Sequence, residues 1–423
     1  MNANNVRRYT QFLLLILAGG AIYPLIYLRQ NYETAILHEF LISKEQLNDL
    51  YSYLGVIYVA TYIPSGWLAD RINPKLLISF SLFAVATLGF WFSTFPTFDE
   101  LVYIFVGWGL AAGLTFWASL LKGVKILAKP DEQGRFFGIL DGGRGLVEAL
   151  LASCAIFIFK YFVNGNSRLA LHNVILLYVG MAALIACMVA LFLPAGIKNG
   201  RHDGRKSATT NFNDFFVLLS NKSVWLMAFV IFSGYQLFWA TYDFSSYLQS
   251  AYGVTEFAAA SLIVAKLWTR PIAAIAAGFL ADKFSKDRLL AVFMLGAVGG
   301  LLLFVFGPHD LAVNFLLGLV IFIGTMTYAV RGIYWSLLDN CHVPVKNIGM
   351  AIGLISIIGY LPDIWLPKLN KWLITHFDGD TASQLYFSYI ALCGVLGVIA
   401  TTRFKPLRAH QSNGNAADTS YAT

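Results

Sequence analysis

Apolar stretches of eighteen residues or more recur along nearly the whole chain, separated by short polar or charged turns. A run of about 20 apolar residues is what a helix needs to cross the hydrocarbon core of a bilayer. The pattern places spans at 10–36, 46–69, 76–95, 100–127, 136–162 and 171–193, then at 223–250, 257–281, 288–306, 311–338, 348–374 and 383–403. Between the sixth and seventh lies Ala195–Lys222, polar, basic, Gly-rich and the longest loop in the chain. The pattern therefore predicts an all-α membrane protein of twelve transmembrane helices. An N-terminal six-helix bundle (1–194) leads through a cytoplasmic linker (195–222) to a C-terminal six-helix bundle (223–403). The polar residues 404–423 read as a disordered cytoplasmic tail.

Composition narrows the function. The 423 residues are 58% hydrophobic and 13% charged, about half the charge of a soluble domain. Twelve spans use roughly 240 residues and leave about 180 for loops and tails, which excludes a soluble enzyme. The net charge of +7 is one-sided: 20 of the 30 Lys and Arg fall in the N-terminal tail and alternate loops, and six in the opposite loops. That asymmetry is the positive-inside rule, not a nucleic-acid footprint, and it places both termini in the cytoplasm. No small-residue cleavage site follows the first apolar stretch, which reads as a retained helix. The four cysteines and seven histidines stand singly, so neither a metal nor another cofactor is expected. The expected partners are the lipid bilayer and a small molecule, with the chain a monomer.

An internal repeat divides the chain. Ser43 and Gln46 form a capping box at the start of a span, and Gly66-Trp67-Leu68-Ala69-Asp70-Arg71 follows 23 residues after Ser43. Thr255 caps a second-half span, and Gly278-Phe279-Leu280-Ala281-Asp282-Lys283 follows at the same distance, so the landmarks share an offset of 212. Phe116-Trp117 echoes Tyr334-Trp335. Gly134-x-x-x-Gly138 matches Gly349-x-x-x-Gly353 at an offset of 215. Two homologous six-helix halves mark a secondary transporter with its site at the repeat interface.

The duplicated Gly-x-Leu-Ala-Asp-Arg/Lys motif lets helices approach at its Gly and supplies an Asp beside a basic turn, which can serve as a breakable latch. This pattern resembles the loop signature of the major facilitator superfamily, and the resemblance implies its 6+6 pseudo-symmetric fold. Gly66, Asp70 and Arg71, with Gly278, Asp282 and Lys283, would then gate without touching substrate. Leu28-Arg29-Gln30-Asn31-Tyr32, Ser43-Lys44-Glu45-Gln46-Leu47 and Asp70-Arg71-Ile72-Asn73-Pro74-Lys75 further resemble the organophosphate:phosphate antiporter branch. That resemblance implies a phosphate-binding role for Arg29. The branch's second phosphate-binding Arg corresponds to Phe238 here, and its helix-five His to Arg144, so the pattern departs where substrate would be read.

Charges inside the spans are the other candidates, because each costs at least ~2.5 kcal/mol and by default marks a pathway. In span 5, Asp141, Arg144 and Glu148 at i, i+3 and i+7 share a helix face, on a helix whose Gly134, Gly138 and Gly142 form a packing ridge. Glu148 has an acidic counterpart in Asp363, beside the helix-breaking Pro362. Lys266 and Arg270 are deep enough to need a partner, for which Asp243 is the obvious acid. Arg331 has no acid within one turn and so awaits an anion. Lys122 and Lys125 are expected to snorkel to the cytoplasmic surface. Tyr62 and Trp239 stand among the aromatic residues that accompany these charges.

No Walker A loop is present, nor the Gly-Pro-Gly-Gly signature of drug:proton exporters. The reading is a transporter of a small organic anion, phosphorylated or carboxylated, working by alternating access. Arg29, Arg144, Arg331, Lys266, Arg270, Tyr62 and Trp239 would bind substrate. Glu33, Glu148, Asp243 and Asp363 would carry protons or balance charge. Two alternatives remain open: a proton-coupled carrier of a neutral or zwitterionic compound, and a non-cycling, transporter-like sensor.

Overall fold

The computed structural model describes residues 3–162, 166–193, 212–254, 256–308 and 312–404. Residues 195–211, Thr255, the tail from 405 and the side chain of Glu33 lie outside the described residues. Among the described residues, ten helical runs are long and apolar enough to cross a membrane. Two more polar helices of 28 residues, Lys44–Arg71 and Glu256–Lys283, complete twelve.

Span 1 comprises Ala3–Ile26 and Arg29–Glu39, span 2 Lys44–Arg71, span 3 Pro74–Phe92, and span 4 Phe98–Leu127. Span 5 is Gln133–Phe162 and span 6 Ser167–Phe192. Span 7 comprises Lys222–Ala240 and Phe244–Tyr252, span 8 is Glu256–Lys283, span 9 Lys286–Phe306, and span 10 Val313–Ile333 with a 3-10 extension, Tyr334–Cys341. Span 11 comprises Ile348–Gly359 and Pro362–His376, and span 12 is Gly379–Thr401. The expected linker is helical at its end, Phe212–Leu219.

Local chemistry sets these boundaries. The Ser43 hydroxyl accepts from the Gln46 amide at 3.2 Å, and the Gln46 side chain accepts from Ser43 N at 2.8 Å, which caps span 2 as the sequence predicts. Asn73 accepts from Lys75 N at 2.9 Å with Pro74 at the first helical position, so the chain turns sharply from span 2 into span 3. Pro362 starts the second helix of span 11, where the sequence placed a break. Spans 1 and 7 are also broken, at 27–28 and 241–243, close to the repeat offset. Neither break was expected. Span 4 widens into a π-helical turn, Leu110–Phe116, immediately before Trp117.

Within the first half, spans 1, 5 and 6 pack together, as do 3 with 6 and 2 with 4; in the second half, spans 7, 9 and 12 and spans 8, 9 and 10 do the same. The halves meet where span 5 crosses spans 8 and 10 and span 2 crosses span 11. Both principal crossings are backbone against backbone. A Cβ on Gly138 would stand 2.5 Å from the Ala274 carbonyl oxygen and 2.7 Å from Gly278 Cα. One on Gly349 would stand 2.6 Å from the Gly66 carbonyl oxygen. The duplicated glycines are therefore the contact itself.

Candidate functional site

Each crossing ends in a latch. Asp70 accepts from the amides of Gly349 and Met350, both at 2.9 Å, and from Lys122 Nζ at 2.5 Å. Asp282 accepts from Arg135 N at 3.1 Å and Arg135 Nε at 2.9 Å. Each carboxylate thus sits on the N-terminus of the opposite half's glycine-rich helix, where free amides and the helix dipole favour an anion. Arg71 lies 4.1 Å from the centre of the Trp67 ring. A third tie joins Lys125 of span 4 to Asp339, which also accepts from Lys286 Nζ at 3.2 Å. The expectation that Lys122 and Lys125 snorkel is therefore corrected: Lys122 is 3% exposed, and both lysines face carboxylates. Asp339 went unnoticed in the sequence because its partners are some 50 and 214 residues away.

Away from the latch end, aromatic rings bridge the halves. The Tyr360 ring lies 5.6 Å from Trp117, 6.0 Å from Tyr62 and 4.8 Å from Tyr235, and its hydroxyl accepts from Trp335 Nε1 at 3.0 Å. Beyond this layer lie the buried charges. Arg270 is clamped by two acids of span 5: Nη2 donates to Asp141 Oδ1 at 3.1 Å, Nε to Oδ2 at 3.4 Å, and Nη1 to Glu148 Oε2 at 2.6 Å. Arg331 Nη2 lies 3.7 Å from Asp141 Oδ1, with its guanidinium 4.1 Å from the Phe238 ring centre. Arg331 therefore has an acid after all, supplied from another helix.

Arg144 points elsewhere. Its Nε donates to the Gly19 carbonyl at 3.1 Å, and its guanidinium stands 5.4 Å from the ring centres of both Tyr23 and Trp117. Among the described residues no carboxylate lies within 4.0 Å of it. The shared-face triad of Asp141, Arg144 and Glu148 is thus corrected: the acids turn to span 8 and the arginine to span 1. Lys266 donates to Thr241 Oγ1 at 2.8 Å, and Asp243 accepts from Asn370 Nδ2 at 3.2 Å. Asp243 is therefore not the partner of Lys266 or Arg270. Glycines seat these cations. A Cβ on Gly19 would lie 2.8 Å from Arg144 Cδ, one on Gly145 would lie 2.8 Å from Arg270 Cδ, and Gly324 makes room for the Lys266 stem.

Asp363 lies just after the break of span 11, and its Oδ1 accepts from Tyr235 Oη at 2.8 Å and Trp239 Nε1 at 2.7 Å. These groups share one cleft. Tyr23, from span 1, is close enough to Arg144, Glu148, Asp363 and Arg331 to feel their charges, and Tyr242, from span 7, to Arg331, Arg270, Asp363 and Glu148. Tyr242 is nonetheless 46% exposed and the Glu148 side chain 23% exposed, so open space adjoins the buried charges. Arg29 is not brought to this cluster. It donates to Asn48 Oδ1 at 3.2 Å and lies 4.6 Å from the centre of the Tyr51 ring.

Comparison with known proteins agrees with this architecture. The Major Facilitator Superfamily model matches residues 11–367. Over 422 residues the chain is 23% identical to the inner membrane protein YqcE of Escherichia coli K12, covering 97% of this chain and 98% of that one. A second relative from the same organism, the inner membrane protein YihN, is 23% identical over 403 residues, covering 93% and 94%. Two solved structures share the fold. The transporter FucP in its outward conformation has a TM-score of 0.69 at 15% identity, covering 94% of this chain and 98% of that one. The human organic anion transporter MFSD10 has a TM-score of 0.70 at 14% identity, covering 93% and 99%.

Proposed function

This chain belongs to the Major Facilitator Superfamily, and from that premise we propose that its cargo is a small organic anion, bound between the two halves and moved by alternating access. It is a multi-pass integral membrane protein with a secondary transporter's fold. The placement of the buried cations carries the substrate reading. Arg270 takes up Asp141 and Glu148, which leaves Arg144 as the surplus cation, with no carboxylate within 4.0 Å of it among the described residues. Trp117 Nε1 and Arg331 Nε are buried donors with no protein acceptor among the described residues. A planar guanidinium near two rings, one of which carries an unsatisfied indole N–H, suits a carboxylate, phosphate or similar oxyanion. The name of MFSD10 points the same way.

Arg144 and Arg331 then form the proposed anion site, with Trp117 and Tyr23 as walls. Arg270 and Glu148 act as a paired strut. The branch-specific role of Arg29 gains no support from its seat against Asn48 and Tyr51. With the latch end closed, the cleft opens away from it; if the basic loops are cytoplasmic, this is an outward-facing state.

The test is a thermal-stability screen of the purified protein against organic anions, since a bound ligand raises apparent stability by mass action. Arg144→Lys should weaken the best hit roughly tenfold or more through loss of the planar fork. Stabilisation by neutral compounds alone, or full affinity in Arg144→Lys, would refute the anion reading. Binding without flux in proteoliposomes would instead favour a sensor.

A further inference from the structure

Asp363 differs from Asp70, Asp282, Asp141 and Glu148 in what faces it. Asp70 meets Lys122, Asp282 meets Arg135, and Asp141 and Glu148 meet Arg270. Among the described residues no cation lies within 4.0 Å of Asp363. Its Oδ1 is held by two neutral donors, Tyr235 and Trp239. Among the described residues its Oδ2 accepts no hydrogen bond, and the residue is only partly buried.

The surroundings offer little compensation for a charge. Arg331 of span 10 is the cation within electrostatic reach. Span 1 contributes Tyr23 and Tyr27, span 2 Tyr58 and Tyr62, and span 7 Tyr242 in addition to Tyr235. Span 12 turns Tyr389 to Trp365 instead. An isolated carboxylate walled by rings is unfavourable, and the simplest relief is neutralisation.

We propose that Asp363 is a proton-binding site of the cleft, loaded and unloaded through Oδ2. Water in the cleft delivers the proton. One O–H bond forms at Oδ2, the carboxylate charge goes from −1 to 0, and Oδ1 keeps both hydrogen bonds. Serving as a coupling ion would rest on the transport reading above. The binding itself does not, so the two can fail separately.

The Trp239 indole donates directly to this carboxylate, which makes its emission a reporter, and the proton alone is the probe. The purified protein in lipid nanodiscs is titrated from about pH 5 to about pH 9, and the emission of Trp239→Phe is subtracted from that of the wild type. A one-proton step, spread over roughly two pH units, is expected in the difference signal. Asp363→Asn retains an oxygen for both donors but has nothing to titrate, so its step should vanish. Tyr235→Phe removes a donor that favours the charged form, so its step should move to higher pH. Absence of a step in the wild type would overturn the proposal. So would a step that survives Asp363→Asn, or one that Tyr235→Phe leaves in place.

Discussion

The two latches are unequal, and the inequality is measurable. Asp70 gathers three charge-assisted hydrogen bonds in a buried setting, and its Lys122 partner has a side chain only 4% exposed. Hydrogen bonds to charged groups contribute about 1.5–3 kcal/mol each. Asp70→Asn keeps one acceptor oxygen for the two amides that cross from span 11 and leaves Lys122, buried in the closed state, without its carboxylate, so the closed state should lose about 1.5–3 kcal/mol. At ~1.4 kcal/mol per tenfold, that moves the closed–open balance at the latch end by roughly 10- to 100-fold. Asp282 has one ionic partner, Arg135, with a side chain 34% exposed. Solvent replaces much of that interaction, so Asp282→Asn should cost about 1 kcal/mol or less, roughly fivefold. The assay is pulsed electron paramagnetic resonance between spin labels at Leu76 and Val345, exposed positions of opposite halves, with the native cysteines replaced. The Leu76–Val345 distance should shift to a longer population in Asp70→Asn and little in Asp282→Asn. Adding Lys122→Gln to Asp70→Asn should recover part of the closed population, because the stranded cation is gone. Equal shifts in the two single variants, or no recovery in the double, would refute the reasoning.

Gly138→Ala should lower thermal stability and slow transport, since its Cβ meets the Ala274 carbonyl at 2.5 Å and overpacking costs about 1–3 kcal/mol; Gly318→Ala, with nothing within 4 Å, is the control. Arg270→Gln leaves Asp141 and Glu148 without their main cation and should destabilise by about 3–5 kcal/mol, read as a fall in melting temperature that Asp141→Asn with Glu148→Gln largely restores. Arg144→Gln with Glu148→Gln should bind anions no better than Arg144→Gln alone, because the two side chains face different helices; recovery in that pair would return Arg144 to a structural role.

Much of the architecture was legible in the chain because hydrophobic length, Gly spacing and capping chemistry act locally. Ser43 with Gln46, Asn73 before Pro74, and Pro362 each fix a boundary through neighbours a few residues away. The duplicated glycines carried the crossings as well, since close approach needs a missing Cβ wherever the partner comes from. Partner identity was not legible. Arg331 looked unpaired because Asp141 lies on another helix, and Asp243 looked like the answer to Lys266 because both are deep. Depth is a one-dimensional property, whereas pairing depends on which way a helix face turns. Gly19, Gly145 and Gly324 held that information as seats for Arg144, Arg270 and Lys266, but a seat is recognisable only once its occupant is known.

The irregular backbone adds a last step. Spans 1 and 7 break at equivalent points, 27–28 and 241–243, and span 11 breaks at 360–361, while the glycine crossings near the latches run through unbroken helix. Breaks free backbone carbonyls, and in a membrane these persist only where protein or a watered cavity satisfies them. They flank Tyr27, Tyr242 and Asp363, the groups that ring the open side of the cleft. A rigid, glycine-packed end and a jointed, polar end suggest a division of labour. On the proposed cycle the halves would pivot over the smooth crossings, and the short segments Arg29–Glu39, Phe244–Tyr252 and Pro362–His376 would bend at their joints to cover the cleft. Closure on that side would bring the Asp363 side of the second half toward Tyr23 and Arg144 of the first. A bound anion would then lie between the surplus cation and a carboxylate best kept neutral, which is where a proton on Oδ2 would matter most.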